Sequence, residues 1–134
     1  MNISEAARRS GLSSKTIRYY EDIGLIAPAR RADNGYRQYD PSQLDEMCFL
    51  ARARNVGFDL EECRQLLALQ RDSGRESRHA RQLVLEKSAK LQQRIDELVA
   101  MRETLETMAR RCRGDEGPEC AILDDLACGK GGSR

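Results

Sequence analysis

Cys112 and Cys120 are separated by seven residues that include Gly114, Gly117 and Pro118. Glycine and proline make such a segment a loop, and a loop can bring two thiolates to opposite sides of one ion. Thiolates are soft donors and select Cu(I), zinc or related soft metals. Zinc normally asks for four ligands drawn from Cys, His or carboxylate. This loop supplies two thiols and no histidine, the single histidine being His79. Asp115, Glu116 and Glu119 are hard oxygen donors that a soft monovalent ion passes over. Two thiolates alone suit a two-coordinate, near-linear Cu(I), Ag(I) or Au(I). If Cys120 starts a short helix, the helix dipole favours its thiolate. The same spacing also admits a redox disulfide pair or two idle thiols, and spacing alone does not choose among them.

A second chemistry gathers near the N-terminus. Between Arg8 and Arg37 there are seven basic residues (Arg8, Arg9, Lys15, Arg18, Arg30, Arg31, Arg37) against Glu21, Asp22 and Asp33. The formal net charge is only +1, so the basic charge is local, as a phosphate-binding face requires. Asn2 or Ser4 can cap a helix to about Arg9, Gly11 breaks it, and Ser13 caps a second helix from Ser14 to about Asp22. Two short helices joined by a Gly-containing turn are a helix-turn-helix pattern. The second helix carries Lys15, Arg18 and Tyr19, which would face the major groove of double-stranded DNA. After Pro28, the run Asp33-Asn34-Gly35-Tyr36-Arg37 signals a hairpin turn, and a hairpin directly after a helix-turn-helix is a wing. Arg31 and Arg37 on it suit phosphate contact. Tyr36 can grip the backbone or brace the hairpin.

The remaining elements position these two chemistries. Asp40-Pro41 opens a third helix with an apolar stripe of Leu44, Met47, Cys48 and Ala51. Asp59 caps a fourth, with Leu60, Cys63, Leu66 and Leu67 pointing one way. From Ser77 to Arg111 there is no Pro or Gly. Val84, Ser88, Leu91, Ile95, Leu98, Arg102, Leu105 and Ala109 alternate there in steps of four and three, a coiled-coil seam with two imperfect layers. A chain this short has nothing of its own to cover that seam, which predicts a homodimer with two-fold symmetry. Of the 134 residues, 40% are hydrophobic, 34% charged and 4% aromatic. That balance favours helices over an all-β sandwich. No stretch is long and apolar enough for a membrane span, and the N-terminus lacks a signal-peptide pattern, so the expected compartment is the cytoplasm. Cys48 and Cys63 read as small core residues, Cys128 as a tail thiol, and His79 as a surface residue.

Ser4, Ala7, Gly11-Leu12-Ser13, Thr16-Ile17-Arg18-Tyr19-Tyr20, Gly24-Leu25-Ile26, Pro28, Asn34-Gly35-Tyr36-Arg37 and Tyr39 together resemble the DNA-binding half of the MerR family of transcriptional regulators. The long helix and the two-cysteine loop extend the likeness over nearly the whole chain, and within the family it is most similar to copper-efflux regulators. The resemblance implies an all-α fold with a small β wing: a winged helix-turn-helix over 1–74, a dimerisation helix over 75–111 in an antiparallel coiled coil, a metal loop and short helix over 112–127, and a flexible tail over 128–134. It implies that Cys112 and Cys120 bind the metal. It also implies a selectivity role for Ser77, because divalent-metal members carry a cysteine there and monovalent-metal members a serine; the plain alternative is a helix N-cap. The function implied is Cu(I)-responsive activation of metal-efflux genes, with Ag(I) or Au(I) as alternatives. The dimer would distort promoter DNA and so act on RNA polymerase indirectly. A divalent sensor for zinc, cadmium, lead or mercury and a thiol redox regulator are the rival readings. A copper chaperone would need Cys-x-x-Cys on a βαβ pattern, which is absent. No nucleophile–base pair or Gly-rich phosphate loop points to an enzyme.

Overall fold

The computed structural model describes residues 1–127. Its elements are α1 (Ile3–Ser10), α2 (Ser14–Asp22), β1 (Arg30–Arg31), β2 (Arg37–Gln38), α3 (Pro41–Asn55), α4 (Leu60–Arg71), α5 (Ser77–Arg111) and α6 (Ala121–Leu126). The expected tail over 128–134, with Cys128, lies outside the described residues.

Local side-chain chemistry sets most of the boundaries. The Asn2 side chain accepts from the Glu5 N–H, and Ser13 accepts from the Thr16 N–H at 3.0 Å. Asp40 and Asp59 each close a capping box, with Gln43 and Glu62 reaching back to the cap nitrogen. Each such cap stabilises its helix by about 1 kcal/mol. Gly11 ends α1 in the left-handed region at φ 86°, its N–H bonded to the Ala7 carbonyl at 3.0 Å. A Cβ there would touch nothing, so the demand on glycine is purely a backbone one. Gly11→Ala is expected to cost about 1–2 kcal/mol, the strain of a side-chain-bearing residue in that conformation. A thermal melt checks this, and an unchanged Tm would mean the turn relaxes freely.

Met1–Lys87 form one compact unit. Its core holds Ile17 of α2, Leu25 and Ile26 after it, Met47 and Leu50 of α3, and Cys63 and Leu67 of α4, all essentially solvent-free. Burying one such aliphatic side chain contributes roughly 1.5–3 kcal/mol. The inner face of α3 is Leu44, Met47, Leu50 and Ala53, which corrects the expected stripe. Leu50 offers more apolar area than Ala51 and takes the inward position, rotating Cys48 to the margin. Cys48 is therefore only half-buried, with its sulfur 3.8 Å from the Arg9 carbonyl, whereas Cys63 is a core residue as expected and burial pushes its thiol pKa up. The segment between α2 and β1 is pinned from α3 and α4. Gln43 donates to the carbonyls of Ala27 and Pro28 at 3.3 and 3.2 Å, and Arg71 to that of Leu25 at 3.3 Å while gripping Glu46 at 2.7 and 2.8 Å. The unit runs into α5 as far as Lys87, whose ammonium lies 3.1 Å from the mostly buried Glu62.

The second unit starts at Ser88 and contains the rest of α5, the cysteine loop and α6. No residue of α5 is buried. Its seam residues Val84, Leu91, Ile95, Leu98 and Leu105 are 44–63% exposed. Ser77 is the first residue inside the helix rather than its cap; the carbonyl of the preceding Glu76 already accepts from the His79 N–H at 3.0 Å. No helix among the described residues is long and apolar enough to cross a membrane.

Candidate metal site and nucleic-acid interface

Cys112 follows the last turn of α5, and Cys120 occupies the cap position of α6. Between them Gly114 turns the chain at φ 67°, and the Asp115 carboxylate accepts from the Gly117 N–H at 2.9 Å. These turns bring the two sulfurs to 3.5 Å, with both side chains half-buried. That is contact distance and well beyond a disulfide bond of about 2.05 Å. An ion on bonds of roughly 2.3 Å to each sulfur spans at most about 4.6 Å, so about an ångström of loop movement admits it. The donor set thus fits a soft ion. The Leu123 N–H, then the Cys112 thiol and the Ile122 N–H, lower the pKa of Cys120 below the usual thiol value, although Cys120 makes no capping hydrogen bond of good geometry. Two of the three loop acids are engaged elsewhere: Arg113 pairs with Asp115 at 3.2 Å and with Glu119 at 3.1 Å. Among the described residues no cluster of three or more His, Cys, Asp or Glu could hold an ion.

In the first unit, Lys15, Arg18 and Tyr19 stand exposed along α2, opposite the buried Ile17 and Tyr20. The wing is built by antiparallel pairing of Arg30 with Gln38 and Arg31 with Arg37. Ala32 and Tyr36 close a three-residue loop, with the Ala32 N–H on the Tyr36 carbonyl and the Gly35 N–H on the Ala32 carbonyl, both at 2.8 Å. Only Gly35 takes a positive φ, 83°, while Asn34 does not; this is the three-residue hairpin with glycine at its left-handed position. Tyr36 projects at 69% exposure rather than packing on the hairpin. Arg31 donates to the Gly35 carbonyl at 2.9 Å, and Arg37 reaches Glu21 at 3.4 Å. The arginine pair on facing strands concentrates positive charge, which is costly alone and favourable beside phosphate.

Residues 1–70 match the family described as MerR HTH family regulatory protein, and residues 44–108 match the one described as MerR, DNA binding. The chain belongs to the MerR family. Among MerR relatives, the HTH-type transcriptional regulator HmrR of Rhizobium leguminosarum bv. viciae is 50% identical, over 96% of this chain and 99% of that protein. The regulator CueR of Salmonella typhi is 46% identical over 95% and 92%. A solved structure, the transcription regulator PbrR691 from Ralstonia metallidurans CH34 in complex with lead(II), superposes with a TM-score of 0.84 at 30% identity, covering 95% of this chain and 99% of that one. The expected mostly helical fold with a small β wing is therefore the MerR fold. Its members here are DNA-binding transcriptional regulators and not enzymes.

Sequence reasoning missed Glu21 and Arg113. Arg113 lies inside the expected loop, and its pairing with the loop acids needed the folded turn. Glu21 did carry a signal: it follows Ile17 by four residues, which puts it on the buried side of α2.

Proposed function

We propose that this chain is a Cu(I)-responsive regulator of metal-efflux genes, with Ag(I) or Au(I) as alternative ions. The carrying observation is the 3.5 Å approach of two thiols with no third donor clustered beside them among the described residues. Cys112 and Cys120 hold the ion, and residues 112–127 form the sensing loop and its short helix. Ser77, at a position from which divalent-metal members of the family extend a cysteine to the metal loop of the partner subunit, offers no third thiolate; that suits a monovalent ion, since a third thiolate adds negative charge that a divalent ion balances better. The half-exposed seam on α5 supports reading 75–111 as the dimerisation helix of a homodimer, paired as an antiparallel coiled coil. Residues 1–74 are the DNA-binding domain. Lys15, Arg18 and Tyr19 enter the major groove and Arg31, Tyr36 and Arg37 hold the flanking backbone. The dimer stays on promoter DNA in both states, and the ion favours the conformer that distorts the duplex for RNA polymerase. The resemblance to copper-efflux regulators of the family supports copper; PbrR691 is a lead(II) complex, and a divalent sensor is the rival reading.

Equilibrium competition on reduced protein, with Cu(I) and zinc both buffered, tests the metal assignment. Cu(I) is expected to win at one ion per loop; tighter zinc binding would overturn it. Ser77→Cys is expected to raise the transcriptional response to zinc or cadmium by supplying a third thiolate. A disulfide switch is the rival use of the same two thiols. An anaerobic titration separates the readings, because a redox switch responds to oxidant without metal.

The DNA face has its own test. Arg18→Ala is expected to cost about 1–3 kcal/mol of operator affinity if it reads a base edge. Lys15→Ala is expected to shallow the slope of log K against log salt by about 0.9 if it meets one phosphate. Gel shifts across a salt series measure both, and unchanged binding by both variants would refute this face.

A further inference from the structure

We propose that Glu21 is a positioning residue for sequence-specific DNA binding, acting on the wing from the inner side of the recognition helix without touching DNA. It sits in the last turn of α2, and its side chain is only 6% exposed. Three donors from the two strand ends of the wing converge on its carboxylate. The Tyr39 hydroxyl donates to it at 2.9 and 3.2 Å, Arg37 Nη1 at 3.4 Å, and the Ala29 N–H at 3.4 Å. Ala29 leads into β1, Arg37 lies on β2, and Tyr39 follows β2. One carboxylate therefore ties the base of both wing strands to the helix that carries Lys15 and Arg18.

The network explains two features of the wing. Arg37 faces Arg31 across the strands, a like-charge pair that destabilises a hairpin unless compensated, and Glu21 supplies the compensating charge. Tyr39 is buried to 2% exposure, and a buried phenol needs a partner for its hydroxyl. Burial, then the bond to Glu21, raises the Tyr39 pKa. A two-stranded hairpin of this size is barely stable by itself, so its angle to α2 depends on such ties. Phosphate contacts fix register and orientation while base contacts carry sequence. A wing free to pivot keeps its charge but loses the register that lets α2 read bases. Glu21 thus governs the ratio of specific to non-specific affinity rather than overall stickiness.

This rests on the reading that α2 and the wing face DNA. The test uses the full chain and two duplexes: one enriched from a random-sequence pool by the unmodified protein, and a scrambled version of it. Glu21→Gln is expected to weaken the enriched duplex about tenfold while binding to the scrambled duplex holds or rises, since net charge increases and the register is lost. The double variant Glu21→Gln with Arg37→Gln is expected to bind both duplexes more weakly, since a phosphate contact goes with Arg37, but to lose no more of the enriched-to-scrambled ratio than the single, because Glu21 and Arg37 set the wing through one contact. Tyr39→Phe, which keeps the ring in the core and removes one donor, is expected to shift the ratio in the same direction and carries the test if Glu21→Gln does not fold. Equal losses on both duplexes would reduce Glu21 to a stability role and overturn the proposal, as would an unchanged ratio or additive losses of that ratio in the double variant. If the unmodified protein enriches no duplex, the DNA-facing assignment itself fails, and the proposal with it.

Discussion

Cys112→Ser and Cys120→Ser are each expected to abolish copper-induced transcription while leaving DNA affinity within a factor of about two, a change of less than 0.5 kcal/mol. Serine offers a hard hydroxyl where the ion needs a soft thiolate. Zinc sites gain roughly 10–16 kcal/mol from four ligands, so one thiolate is worth about 3 kcal/mol, over a hundredfold in affinity. In a two-ligand site no other donor takes up the loss. The sulfurs stand 3.5 Å apart, and Asp115 and Glu119 are already engaged by Arg113. DNA affinity is spared because the loop follows the recognition helix only after four intervening helical and strand segments of its own unit and the length of α5. Reporter transcription over a copper series, with gel shifts in parallel, measures the two readouts. Normal activation by either variant would remove the pair from the mechanism. Joint loss of activation and DNA binding would mean that the cysteines maintain the fold instead.

The other large effect concerns assembly. Leu91 and Ile95 are 44% and 51% exposed on α5, which is far more than a helix covered by its own chain would leave. A two-fold dimer buries each of them twice. Full burial of such a side chain is worth roughly 1.5–3 kcal/mol and about half of each remains to be covered, so the four positions contribute about 3–6 kcal/mol to association. Replacing both with glutamate removes that gain and places four carboxylates at the seam, where unpaired charge costs several kcal/mol more. Sedimentation is expected to show a monomer, with operator affinity falling sharply because paired half-sites need paired heads. The unmodified protein sedimenting as a monomer would refute the dimer, and a double variant that remains dimeric would move the interface elsewhere.

Much of this was legible from short-range chemistry. Asn2, Ser13, Asp40 and Asp59 cap the helices they were expected to open, because a cap depends on one side chain and an amide three residues away. The pairing of Cys112 with Cys120 is local too, two thiols across a Gly/Pro turn. What escaped the sequence depended on tertiary choice. α3 is apolar on more than one side, so periodicity alone did not reveal that Leu50 would turn inward and leave Cys48 at the margin. The spacing of Glu21 from Ile17 puts it on the buried side of α2, but its partners come only when Tyr39, eighteen residues on, folds over it. Lys87 reads as a seam-flanking charge, yet it ties α5 to Glu62. The lesson is specific to kind: caps and loop thiols are written in adjacent residues, whereas buried ion pairs need the packing that brings distant segments together.

Two cysteine sulfurs, and nothing else, are proposed to hold one monovalent ion, and X-ray absorption on the reduced protein loaded with one Cu(I) per chain reads that donor set. Two sulfur neighbours and no nitrogen or oxygen are expected in the first coordination sphere, with loss of that signal in Cys112→Ser. Three or more ligands, or any nitrogen neighbour, would contradict it.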